Sequence, residues 1–184
     1  FTVNPITVSL SGKDSSALLT LQSQSSEQVR FRIAVKQWQQ NPQGEMELKD
    51  TKDIVAYPGL LTLGPKEERK LRIGSTVPAG ATERSYRVFV EELPPLKAPQ
   101  TAGKSEVKVL TKMGVPIFIR PAKPTTTGAV EGLALAKGKL GFTVKNTGNA
   151  HFMLQSALVK AVNAAGVVTF EKKLDGWYVL AGGT

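Results

Sequence analysis

The sequence predicts an all-β protein made of two sandwich domains, and three observations carry that expectation. Apolar residues recur at every second position in one segment after another, and little of the chain has the 3.6-residue spacing of a helix. Seventeen Gly and eleven Pro, in a chain where Val and Thr are frequent, divide it into short extended pieces. A Pro/Thr/Gly stretch, Ala122 to Gly128, interrupts the pattern and reads as a domain boundary. The 184 residues are 41% hydrophobic, enough for real cores.

Taken in order, Thr2 to Leu10 is expected as the first strand, with Ile6, Val8 and Leu10 on one face and Pro5 marking an edge or a bulge. Ser11-Gly12-Lys13-Asp14 is a turn, Ala17 to Leu21 the second strand, and Ser23 to Ser26 a polar loop. Val29, Phe31, Ile33 and Val35 then alternate with Arg30, Arg32 and Lys36 up to Trp38, the clearest half-buried strand of the chain. Asn41-Pro42-Gln43-Gly44 forms a turn because proline presets its own φ and glycine supplies a positive one. Ile54 to Tyr57, Arg69 to Gly74 and Ser85 to Leu93 read as further strands, with Leu60 to Leu63 punctuated by Pro58-Gly59 and Gly64-Pro65.

The longest extended run is Ser105 to Pro121. Val107, Val109, Thr111, Met113, Val115, Ile117 and Ile119 fall at period two, with Lys108, Lys112 and Arg120 between them. Such a length has two readings: the half-buried closing strand of a sandwich, or a strand that shares part of its apolar row with a partner. About seven strands with regular turn signals before Pro121 form the pattern of an immunoglobulin-like sandwich. The Pro-rich connection Pro94 to Lys104 is long for a hairpin, either a mere linker or a loop with function.

Residues 1–121 are therefore expected as the first domain and 122–184 as the second. In the second, Leu133 to Ala136, Leu140 to Lys145, Phe152 to Ala161, Val167 to Phe170 and Trp177 to Leu180 read as strands. Roughly five strands leave an incomplete sandwich with an exposed edge.

Composition excludes several kinds of chemistry. There is no cysteine, hence no disulfide framework, thiolate metal site or cysteine nucleophile. The single histidine, His151, has no cluster of ligands around it in sequence and is expected at a turn or strand end. A serine triad would have to recruit that one histidine, so neither an enzyme nor a cofactor is expected. The segment Gly132 to Leu140 departs from a phosphate loop in its spacing, in Leu140 where Ser or Thr is required, and in preceding a strand. The net charge of +9 invites an anionic partner, but the cations are dispersed singly, without the basic runs or aromatic clusters of nucleic-acid binding. No apolar run approaches the roughly twenty residues of a membrane span. A chain that begins inside a strand at Phe1 fits a processed, exported protein as well as a trimmed one.

Several motifs in fixed order then resemble one family. They are Gln37-Trp38, Asp53-Ile54-Val55-Ala56-Tyr57-Pro58, Leu71-Arg72-Ile73, Tyr86-Arg87-Val88-Phe89-Val90-Glu91-Glu92-Leu93-Pro94-Pro95, and Val115-Pro116-Ile117-Phe118-Ile119-Arg120-Pro121. Asn146 to Phe152 and Gly176 to Leu180 extend the likeness to the second half. Together they resemble the periplasmic pilus-assembly chaperones of the chaperone-usher pathway.

That resemblance implies a boomerang of two immunoglobulin-like domains, located in the periplasm, that lends a strand to a fibre or pilus subunit in a 1:1 complex and delivers it to an outer-membrane usher. Val107, Val109, Thr111 and Met113 would be the donor row. Self-association through the same edge is a further expectation. Most family members hold the subunit's C-terminal carboxylate with two cations, but Thr7 and Pro116 occupy those positions here. This departure resembles the archaic or alternative branch of the family, which builds fibre or spore-coat structures. Arg87 is the substitute anchor, with Lys112 as a second cation, the alternative being a solvent-facing strand charge. Glu92 and Arg120 match positions that form an interdomain salt bridge. The competing reading is a secreted two-domain adhesin or carbohydrate-binding module, which would want surface aromatics or a metal site.

Overall fold

The computed structural model describes residues 1–96 and 109–184. Every regular element in those residues is a strand. Ten precede Pro121: β1 (Thr2–Asn4), β2 (Val8–Leu10), β3 (Ser16–Gln22), β4 (Val29–Gln40), β5 (Met46–Asp50), β6 (Ile54–Tyr57), β7 (Leu60–Leu63), β8 (Glu68–Ser75), β9 (Arg84–Leu93) and β10 (Lys112–Ile119). They form a four-stranded sheet in the order β1-β3-β8-β6 and a six-stranded sheet in the order β2-β10-β9-β4-β5, with β7 also paired to β4.

The sheets close on one another through strands that alternate buried and outward residues. On β9, Tyr86, Val88 and Val90 point inward and are fully buried, and Arg87, Phe89 and Glu91 take the outer face. They meet Phe31 from β4, Leu19 and Leu21 from β3, Leu71 and Ile73 from β8, and Ile117 and Ile119 from β10 in one core. The Tyr86 hydroxyl donates to Asp53 Oδ2 at 2.8 Å, which satisfies its one polar atom inside that core.

The first expected strand is two. The chain breaks at Pro5, so that β1 pairs antiparallel with β3 in one sheet while β2 pairs parallel with β10 in the other. Ile6 lies in the crossing and is 78% exposed, so the row Ile6, Val8, Leu10 holds only from Val8 onward. The strand β5 was invisible to periodicity because all five of its residues are exposed.

Beyond Pro121 the strands form three two-stranded pairs. They are β11 (Gly128–Ala136) with β12 (Lys139–Asn146), β13 (Phe152–Met153) with β16 (Tyr178–Val179), and β14 (Ser156–Val162) with β15 (Val168–Asp175). The expected strand Phe152 to Ala161 is interrupted at Leu154, whose N–H turns to Trp177 O. Gly176 abuts Leu154 so closely that a Cβ there would overlap the Leu154 carbonyl. Leu133, Leu135, Leu158 and Phe170 remain exposed on these pairs.

Candidate functional site

One edge of the six-stranded sheet is open. On one side β10 runs antiparallel to β9 from Lys112 to Ile119. On the other, β2 covers only Ile117, Phe118 and Ile119. Among the described residues, no strand pairs with that side of β10 from Lys112 to Pro116. Thr111 directs its backbone to Glu92: Glu92 N–H donates to Thr111 O at 2.9 Å and Thr111 N–H to Glu92 Oε2 at 3.0 Å. By alternation the backbone groups of Lys112 and Gly114 point to the open side, and Pro116, which has no N–H to offer, sits where an edge strand tolerates it.

The expected donor row divides along this edge. Val107 lies outside the described residues. Val109 is 80% exposed and Thr111 is exposed, whereas Met113 packs against the chain's own core. Of the described part of the long run, Val109 and Thr111 are thus exposed, and from Met113 onward the same row turns to the core.

Arg87 sits opposite Pro116, at the inner end of the open edge. Its guanidinium carbon lies 4.1 Å from the centre of the Trp38 ring, and Trp38 packs edge-on against Tyr178 at 5.4 Å. Among the described residues no carboxylate pairs with Arg87, and its Nε is buried without a hydrogen-bond partner. Loss of hydration lowers its pKa from the usual value, an effect that the neighbouring Tyr178 partly opposes. An arriving carboxylate would compensate that desolvated charge, and a guanidinium stacked on indole keeps the in-plane N–H groups of its edge to donate a fork of hydrogen bonds.

Lys112 is placed elsewhere. Its Nζ lies 3.9 Å from Glu91 Oε2 and 5.0 Å from the centre of the Phe89 ring, two cross-strand rows away from Arg87. Arg32 reaches the other oxygen of Glu91 at 3.2 Å.

The expected ion pair between Glu92 and Arg120 is not formed. In the antiparallel register Ile119 faces Arg84, so Arg120 emerges beside Glu83, at the opposite end of β9 from Glu92. Glu83 is the residue that sequence reasoning missed. Its side chain is fully buried, Oε1 accepts from His151 N–H at 2.9 Å and lies 2.6 Å from His151 Nδ1, and Oε2 is 3.8 Å from Arg120 Nε. The His151 ring stacks on Phe118 at 3.5 Å, and Phe118, Trp38 and Leu180 share a small second core with Tyr178 packed against it. A Glu in the run Thr-Glu-Arg, isolated between a loop and a strand, gave no periodic signal of burial.

Asn149 and Gln40 complete this junction. Asn149 Nδ2 donates to Ala81 O at 2.8 Å and Lys123 O at 3.1 Å, and Gln40 reads the backbone of Tyr178 and Leu180 with both ends of its amide. Trp38 and Tyr178 are thereby committed to packing and do not form the surface aromatic platform that a carbohydrate-binding module wants.

The comparisons with known proteins fit this geometry. The family model described as "Pili and flagellar-assembly chaperone, PapD N-terminal domain" matches residues 1–125. No curated protein matches the chain. Among solved structures, a chain of the CsuC–CsuE chaperone–tip adhesion subunit pre-assembly complex, from archaic chaperone-usher Csu pili of Acinetobacter baumannii, is 20% identical with a TM-score of 0.69, over 100% of this chain and 84% of that one. The class 5 fimbriae chaperone CfaA is 19% identical with a TM-score of 0.66, over 99% and 82% of the two chains. The CupB2 chaperone of Pseudomonas aeruginosa is 15% identical with a TM-score of 0.60, over 99% and 85%. At these identities the likeness is one of fold.

Proposed function

This chain belongs to the family of pili and flagellar-assembly chaperones, and on that premise we propose that it captures a fibre subunit by lending the free edge of β10 as an extra strand. The observation that carries the reading is the side of β10 from Lys112 to Pro116 that no strand pairs among the described residues, continued by the exposed side chains of Val109 and Thr111. Arg87 closes one end of that edge and takes the subunit's C-terminal carboxylate. The relative from Csu pili is named for a complex with a tip adhesion subunit before assembly, which supports the same use here.

The geometry also gives the added strand a direction. Beyond Pro116 the edge is occupied by β2, so a strand whose carboxylate rests at Arg87 extends from there toward Val109. Read from N to C terminus it runs parallel to β10. Main-chain pairing supplies affinity, and the Val109 and Thr111 side chains fix register.

In this reading, residues 1–121 carry the donor edge and residues 122–184 form the second domain, which holds the other side of the cleft. The chaperone works in the periplasm, and the loaded complex is handed to an outer-membrane usher. The testing experiment is co-expression with candidate fibre subunits encoded beside it, followed by affinity purification and native mass measurement. A stable 1:1 pair that is lost when Val107 and Val109 are both replaced by Glu supports strand donation. Subunits that aggregate while the chain stays alone would remove the reading.

A further inference from the structure

The outer face of the six-stranded sheet carries an arrangement that strand donation alone does not require. The register of β4, β9 and β10 sets three cross-strand rows there: Arg32–Glu91–Lys112, Ala34–Phe89–Gly114 and Lys36–Arg87–Pro116. In the middle row both residues flanking Phe89 are small. The ring lies over Gly114 itself, since a Cβ at Gly114 would meet its Cε1 at 2.9 Å. An aromatic that covers a glycine on an edge strand replaces the packing that the glycine lacks. Phe89 remains half-buried, and it leans across β10 toward the open edge.

A strand parallel to β10, with its terminal carboxylate at Arg87 opposite Pro116, places the residue two before its C-terminus beside Gly114. Side chains repeat every second residue, so that residue shares the outer face with Phe89. The row beyond it is charged: Glu91 lies between Arg32 and Lys112. An acidic side chain at this position would face Glu91, and a basic one would sit between Lys112 and Arg87.

We propose that Phe89, lying over Gly114, forms a subsite that selects an apolar and preferably aromatic side chain two residues before the subunit's C-terminus. The contact is ring on ring beside the Lys112 ammonium, and a serine there would leave the ring wet. The inference rests on strand donation at β10, and the two fail separately in the following experiment.

Two synthetic peptides of roughly nine residues, a strand-length alternating Thr/Val sequence with a free carboxylate, differ only in Phe or Ser two before the C-terminus. Each is titrated by fluorescence anisotropy into the full chain. The expected result is binding about tenfold tighter for the Phe peptide. Phe89→Ala reduces the preference below about twofold and Phe89→Leu retains part of it, while Arg87→Ala weakens both peptides alike. A Phe89→Ala protein that does not fold is replaced in the comparison by Phe89→Leu, whose preference must still be smaller than that of the wild type. Equal affinity of the wild type for the two peptides overturns the subsite and leaves strand donation standing. Absence of binding by either peptide overturns strand donation and the subsite with it.

Discussion

Arg87 is the central residue of the open edge, because among the described residues no carboxylate balances its charge. Trp38 supplies a ring beneath it, yet among the described residues Nε finds no acceptor, and the group loses water without gaining a carboxylate. Truncating one partner of a desolvated charge pair costs roughly 2–5 kcal/mol of binding. We therefore expect Arg87→Ala to lower the yield of subunit complex at least tenfold. Arg72→Ala, on an exposed position of β8, should leave it within about twofold. Equal losses in co-purification would mean generic charge attraction. Tyr86 gives a second prediction at this scale. Burial, and then its hydrogen bond to Asp53, raise the phenol's pKa above the ordinary 10.0. The unfolded chain loses that proton near pH 10 while the folded chain keeps it. Stability is therefore whole below that pH and falls above it, by up to about 1.4 kcal/mol per pH unit from this one group. Urea midpoints measured through the alkaline range should fall more steeply for the wild type than for Tyr86→Phe, and parallel curves would contradict the assignment.

At the scale of the element, β10 does two jobs along one strand. Met113, Val115, Ile117 and Ile119 fill the core, and Val109, on the same parity, is free. A charge therefore has opposite consequences at neighbouring positions of one row. Met113→Glu should destabilise the protein by roughly 2–4 kcal/mol in urea unfolding. Val109→Glu should change stability by less than about 0.5 kcal/mol and abolish capture. Loss of stability in both would show that the row is core throughout. Alternation made this strand, and the buried face of β4, legible in the sequence before any packing was known. It could not tell where the row leaves the core, since Val109 and Met113 are both apolar. That boundary is set by where β9 ends, at Leu93. Likewise β5 offered no apolar face to read, and Pro5 signalled a break without saying that the two pieces join different sheets.

At the scale of the whole molecule, the junction around Glu83 holds the two halves of the chain against each other beside Arg87. Sequence resemblance named Arg120 as an ion-pair partner there but assigned it Glu92, because strand register cannot be read from a motif. Once β9 and β10 are antiparallel with Ile119 opposite Arg84, Glu83 and not Glu92 lies beside Arg120. Asn149 is the most economical point at which to loosen this junction, since its amide ties Ala81 O and Lys123 O, and its carbonyl accepts from Thr125. Asn149→Ala should cost about 1–2 kcal/mol and reduce subunit capture although it lies off the donor edge. Capture at the wild-type level, with that stability loss in urea unfolding, would detach the junction from function.

A subunit that pairs with the open side of β10 must cover its outward backbone amides, so the decisive measurement is hydrogen–deuterium exchange at Lys112 and Gly114 in the free chain and in the 1:1 complex with a co-expressed subunit. Both amides should exchange rapidly in the free chain and be strongly protected in the complex. A stable complex in which both amides still exchange as in the free chain would contradict that pairing.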